Sequence, residues 1–246
     1  MTAFRLALLN PNTDSRHTVA MADVARRALP DGCEVTAVNA TRGPSSIESE
    51  ADAAIAAAEV VSLLRSTEPH DAYLVACFGD PGLEAARELT DAPVVGIGEA
   101  AYLAAGLIAK RFAVITTLAR GVPALEDAIN TRGIGRRCLA VVPLEIPVAD
   151  QGGHNPGTTP AIVAAGRRLA AEGAEALILA CGGMADVAAT VEREVGLPVC
   201  DGVSFGATLA HAMWRCGLRT SKVGAYGWPE PIPYLDMPDN VAPREG

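Results

Sequence analysis

With 246 residues, 50% of them hydrophobic and only 4% aromatic, the chain can bury a large core of small aliphatic side chains, enough for one large domain or two lobes. A formal net charge of −9, with no run of basic residues, removes the electrostatic attraction that nucleic acid or an anionic membrane surface demands, so the expected partner is a small molecule. No apolar stretch approaches the ~20 residues of a membrane helix, which makes the cytoplasm the expected location and reduced thiols the expected state of the six cysteines.

The first apolar run, in MTAFRLALLNPN, is too brief for a secretion signal and reads as a strand. From there short β-rich runs alternate with Ala-rich helical stretches. Strands are expected near 4–10, 33–39, 72–77, 93–96, 111–116, 138–142, 175–180, 197–200 and 222–227. Between them lie helices such as SIESEADAAIAAAEVVSLLR and TTPAIVAAGRRLAAEG, each opened by a capping residue type. Alternation of this kind specifies an α/β fold with mainly parallel sheets flanked by helices.

The chain also echoes itself. FRLALLN matches RFAVITT, DGCEVTAVN matches RRCLAVVPL, AYLVAC matches ALILAC and APVVGI matches LPVCDG, each pair lying roughly 105 positions apart. Four strands repeated at one offset mean two pseudo-symmetric lobes, expected over 1–105 and 106–217, with an active site in the cleft between them. The helix in FGATLAHAMWRCG and the strand in KVGAYGW follow the second copy. They are expected to pack back on the first lobe, which 218–246 completes.

Ligands of parallel sheets bind beyond the carboxyl ends of the strands. Cys77 and Cys181 both end a strand there, in matched positions, and both are followed by a glycine-containing turn. A pseudo-twofold places the two thiols on opposite walls of one cleft. A carbon stereocentre is inverted when one group takes its proton from one face and another delivers a proton to the opposite face. A thiolate and a thiol can do this. Asp80 fits the N-cap and Pro81 the first position of the helix after Cys77, a setting that favours the thiolate. Gly182 and Gly183 allow backbone N–H groups to approach an anion at Cys181. The duller reading, a common small core residue, is kept for Cys33, Cys138, Cys200 and Cys216.

The fragments LNPNT, GPSSIESE, ACFGDPGLEAARE, VITTLAR and ACGGM, within a similarity that runs from about residue 6 to residue 218, together resemble the hydantoin and allantoin racemase family, within the cofactor-independent aspartate/glutamate racemase superfamily. The resemblance implies two cysteines acting as opposed acid and base on C5 of a five-membered ureide ring, at the positions of Cys77 and Cys181. Amino-acid racemases of the superfamily carry Asn-Thr after the first cysteine and Thr-His after the second. This chain carries Phe78-Gly79 and Gly182-Gly183, a lining better suited to an uncharged ring than to a zwitterion.

Asn12, Thr116 and Thr117 leave the first strands of the two copies and can donate hydrogen bonds without charge, although Asn10-Pro11-Asn12 also suits a plain tight turn. Phe78, Gly79, Gly182 and Gly183 complete the expected ring site, and Ser45 and Ile47 are expected to shape the pocket for the ring substituent. Asp80 reads as a helix cap before it reads as an acid. His17, His70 and His211 fall where core or surface roles are usual, and His154 lies in a Gly-rich loop that gives it no assignment. Lys110 and Lys222 fall at the amino edge of the sheets, where neither can form a Schiff base in the site, and no metal-ligand or phosphate-loop spacing occurs. No cofactor or metal is therefore expected.

The resulting expectation is a cofactor-independent isomerase, a racemase of 5-substituted hydantoins or of allantoin, forming a homo-oligomer. Two alternatives stay open: an arylmalonate-decarboxylase-like or amino-acid racemase enzyme of the same superfamily, and a non-enzymatic two-lobe ligand-binding protein.

Overall fold

The computed structural model describes residues 3–151, 155–230 and 232. Strands β1 (Arg5–Asn10), β2 (Glu34–Asn39), β3 (Ala72–Val75) and β4 (Val94–Gly96) form a parallel sheet in the order β2-β1-β3-β4. Strands β5 (Phe112–Thr116), β6 (Cys138–Pro143), β7 (Ala176–Leu179) and β8 (Val199–Asp201) form a second one in the matching order β6-β5-β7-β8. The sequence echo is therefore a repeat of topology. β1, β3, β5 and β7 are nearly continuous apolar runs because helices cover both faces of each sheet.

The helices are α1 (Ser15–Ala28), α2 (Glu50–Ser66), α3 (Leu83–Leu89), α4 (Ile97–Ile108), α5 (Val122–Thr131), α6 (Thr158–Ala171), α7 (Ala188–Val195) and α8 (Gly202–Arg215). Local chemistry starts several of them. The Asp14 carboxylate accepts from Arg16 N at the head of α1, the Ser49 hydroxyl accepts from Asp52 N at the head of α2, and Asp201 accepts from Ser204 N at the head of α8.

α2 and α3 cover the outer face of the first sheet, where Val60, Leu63 and Leu83 meet Leu9 and Val75. α6 and α7 do the same for the second, where Ile162, Leu169 and Val191 meet Ile115 and Leu177. The largest core lies between the sheets. There Leu6, Leu8 and Leu74 of the first sheet and Val114 and Ile178 of the second enclose alanines of α4 and α8. The two central helices cross over: α4, which leaves the first sheet, packs on β7 and β8, and α8, which leaves the second, packs on β3 and β4. Small residues permit this close approach. A side chain at Gly206 of α8 would meet Leu74 Cδ1 at 2.8 Å.

The expected ninth strand at 222–227 is not one. Gly224 has φ +80°, which breaks an extended run, and Gly224–Tyr226 is a 3-10 turn. Its polar groups bind the region around α3 instead: Thr220 N donates to Asp91 O (2.8 Å), Lys222 Nζ to Arg87 O (2.6 Å) and the Tyr226 hydroxyl to Glu84 Oε2 (2.5 Å). Residues 233–246, included in the expected first lobe, lie outside the described residues, as does His154. Among the described residues no helix is long and apolar enough to cross a membrane.

Candidate active site

The carboxyl ends of the two central strands in each sheet border one cavity of about 510 Å³. Cys77 and Cys181, two residues beyond β3 and β7, both line it and both are free thiols. Asn12, Ile47, Phe78, Gly79, Thr116 and Thr117 line it as well, with Gly182 and Gly183. Ser45 does not. It is exposed on the outside of its turn, where the neighbouring Pro44 carbonyl accepts from Thr13 N (3.1 Å), and Ile47 and Glu48 take the inward positions.

The loop after Cys77 is held by a contact remote in sequence. Asp80 adopts φ 49°, and Gly82, with φ 69°, precedes the first residue of α3. This left-handed path turns the Asp80 carboxylate away from α3 and onto the head of α4, where it accepts from Gly98 N (2.8 Å) and Glu99 N (2.7 Å). Arg132 Nη2 adds a longer contact at 3.4 Å. Asp80 is thus a helix cap, but of α4 rather than of the helix that follows it. Gly98 must lack a side chain, since a Cβ there would strike the Phe78 carbonyl and the Asp80 carboxylate.

Cys181 is the N-cap of a 3-10 helix, Gly182–Val187, whose first N–H groups turn toward the sulfur. Gly182 packs against Met21 of α1 so closely that a side chain would collide with its sulfur.

Burial governs both thiols. It pushes Cys77 up to about 12 against the opposing donors Gly79 N and Phe78 N, with the neighbouring Cys181 and Asp80 raising it further. It pushes Cys181 up to about 11 against Gly183 N and Met184 N, with Glu48 adding to the rise. The thiolate-favouring effect expected from the helix starts is present in these N–H contacts, but desolvation outweighs it, so both sulfurs hold their protons near neutrality.

Neutral donors surround the pair. Asn12 Oδ1 accepts from Asn10 Nδ2 (2.9 Å) and Asp14 N (2.9 Å), which leaves its amide nitrogen to donate into the cavity. Thr116 is buried, with its backbone carbonyl taken by Leu144 N (3.0 Å), so its hydroxyl is the group available to a ligand.

Among the lining residues that were not anticipated, Glu48, His17, Tyr102 and Arg132 carry groups able to meet a ligand or hold the wall. Glu48 reaches across the cleft, its Oε1 accepting from Val148 N (3.0 Å) and Ser46 Oγ (3.2 Å). His17 is buried in the first turn of α1, and Tyr102 of α4 and Arg132 at the end of α5 form another part of the wall. For His17 a signal existed: a helix that follows a strand's carboxyl end begins at the site. Neither lysine lines the cavity, and the described residues contain no group of three His, Cys, Asp or Glu side chains placed to hold a metal ion.

Comparison with known proteins agrees with this architecture. The family model described as Asp/Glu/Hydantoin racemase matches residues 6–210. A hydantoin racemase from Pseudomonas sp. (strain NS671) is 36% identical over 239 residues, covering 96% of each chain. One from Rhizobium meliloti is 37% identical over 226 residues, covering 90% of this chain and 93% of the relative. The solved structure of allantoin racemase from Klebsiella pneumoniae superposes with a TM-score of 0.93 at 36% identity, covering 98% of this chain and all of the other. With a family model spanning most of its length and relatives of this identity over nearly all of it, the chain belongs to the Asp/Glu/Hydantoin racemase family and is an isomerase.

Proposed function

We propose that this racemase inverts C5 of 5-substituted hydantoins or of allantoin by proton transfer between Cys77 and Cys181. The observation that carries the reading is the equivalence of the two thiols: each is unbonded, each follows the same strand of a repeated sheet, and both border one cavity. The relatives named hydantoin racemase and allantoin racemase supply the ring.

In one direction the thiolate of one cysteine takes the C5 proton, the C5–H electron pair moves toward the adjacent ring carbonyl, and the other cysteine's thiol delivers its proton to the opposite face of C5. The enzyme ends with the two sulfurs in exchanged protonation states, ready for the reverse reaction. Enolate charge on the ring oxygen is met by the Asn12 amide, the Thr116 and Thr117 hydroxyls and the backbone N–H groups at Gly79 and Gly183. A preorganised donor of this kind contributes about 3–4 kcal/mol. None of these groups is charged, which suits a neutral ring.

Polarimetry of the purified protein with enantiopure hydantoins and allantoin, without added cofactor, tests the reading. Loss of optical rotation is expected. Carbon dioxide release from arylmalonates with no racemisation of any hydantoin would replace it.

A further inference from the structure

We infer that Glu48 is a positioning residue for Cys181: its carboxylate, rooted in the first lobe, clasps the Val148–Gln151 segment of the second lobe against the turn that holds this sulfur; this rests on the two-cysteine reaction proposed above.

The two thiols are matched in position but not in support. Three residues beyond Cys77 stands Asp80, whose carboxylate fixes the Cys77 loop on the head of α4. Three residues beyond Cys181 stands Met184, fully buried in the outer core of the second sheet, so no carboxylate serves the Cys181 turn from that position. Packing holds the turn instead. A side chain on Gly183 would meet His17 Nε2 at 3.2 Å and Gln151 Cβ at 3.3 Å, so Gly183 is seated between α1 and Gln151. Gly183 N is one of the N–H groups that contact the Cys181 sulfur, and a shift of Gln151 therefore reaches that sulfur through a single residue.

Gln151 is fixed by its own lobe at one end and by the other lobe at the other. It is fully buried, its side-chain Nε2 donates to Ile146 O (2.6 Å), and its backbone N donates to Val148 O (3.1 Å), which closes the 3-10 turn Val148–Asp150. The first N–H of that turn, on Val148, donates to Glu48 Oε1 (3.0 Å). Glu48 is held in turn: Ser46 Oγ donates to the same oxygen (3.2 Å), and Glu48 N donates to Asp52 Oδ2 (3.2 Å) in the first turn of α2. The carboxylate thus joins loops of the two lobes at the wall of the cavity, which both Glu48 and Val148 line. Its charge also raises the pKa of Cys181, as expected of near neighbours. A sulfur that must meet one face of C5 is sensitive to such a brace, because a displacement of about 1 Å costs up to about 10²-fold in rate.

Glu48→Gln keeps an oxygen to receive Val148 N but drops the charge, and Glu48→Ala removes both, so the difference between them reads the clasp. Each is placed in the Cys77→Ala and in the Cys181→Ala background, with thermal unfolding to verify the fold. Exchange of the C5 proton is followed by NMR in deuterated solvent for the enantiomers of 5-isobutylhydantoin and of allantoin. With Cys181 as the remaining sulfur, Glu48→Ala is expected to exchange roughly tenfold more slowly than Glu48→Gln. With Cys77 as the remaining sulfur, the two substitutions should give the same rate. Equal rates for Ala and Gln on the Cys181 side, or the same loss on both sides, overturn the inference and leave the racemase reading intact. Should neither background exchange either compound, the two-cysteine reading is what fails, and amide hydrogen exchange then reads the clasp directly. The peptide spanning Gly182–Val187 should exchange faster in Glu48→Ala than in Glu48→Gln, and equal exchange overturns the role of Glu48.

Discussion

A thiol pushed up to about 11 or 12 is rarely ionised at neutrality, but it is a strong base when it is. Cys181, the lower of the two, gains thiolate tenfold per pH unit below its pKa. For the proposed mechanism kcat/KM should therefore climb with pH between 7 and 9 with a slope near one, and fall only where the second thiol also ionises. A flat profile over that range, measured by polarimetry, would show that the base is already ionised in the free enzyme. The same shifts act on stability. Both folded pKa values exceed the unfolded value of about 8.5, so the contribution is complete below that pH and is lost as pH rises toward 11 and 12. Removing either sulfur separates the roles. Cys77→Ala and Cys181→Ala should each lose racemisation by about 10²–10⁴-fold. In deuterated solvent each should still exchange the C5 proton of one enantiomer with retention, and the favoured enantiomer should differ between the two. Near-normal racemisation by either variant would reduce its cysteine to a packing residue.

The loop from Cys77 to Asp80 and the helix α4 act as one element, because the Asp80 carboxylate takes the first free N–H groups of α4. Asp80→Ala unpairs those N–H groups and releases the left-handed turn beside Cys77. A cap of this kind contributes about 0.5–2 kcal/mol, which for a chain of this size lowers Tm by roughly 1–8 °C in calorimetry. An unchanged Tm would show that water replaces the cap. This clamp also marks the limit of what the sequence reveals. Strands, helix starts, the repeated order and the paired cysteines rest on local patterns, and the eight strands β1–β8 follow those patterns closely. The Asp80 contacts span 18 and 19 residues, Arg132 reaches Asp80 over 52, and Glu48 reaches Val148 over 100. No periodicity encodes such distances. Tyr102 illustrates the same limit: inside an Ala-rich helix it reads as core, and only the packing of α4 beside the cleft brings it to the cavity. The 222–227 segment failed in the opposite sense, since KVGAYGW has the composition of a strand but a glycine at left-handed φ and side-chain anchors on the α3 region.

At the scale of the whole molecule the two sheets share a core, and this fixes the spacing of the two thiols. α4 belongs in sequence to the first copy but packs on β7 and β8, while α8 belongs to the second copy and packs on β3 and β4. Each sheet's inner face is thus covered by a helix delivered from the other side, and Ala100 of α4 and Ala207 of α8 are fully buried where they meet. Neither sheet can lose its tertiary packing while the other keeps its own. Unfolding is therefore expected to be a single transition, with far-UV circular dichroism coinciding with the fluorescence of Trp214, which packs on Phe4 with centroids 5.1 Å apart. Ala100→Leu tests the coupling, because added methyl groups have no space at a 0% exposed alanine facing Gly206. Overpacking of this kind costs about 1–3 kcal/mol. Both probes should move together to lower temperature, by roughly 2–12 °C. Displacement of the fluorescence transition alone would show that the two sheets melt independently, and that the cleft holding Cys77 and Cys181 depends on contacts outside this central layer.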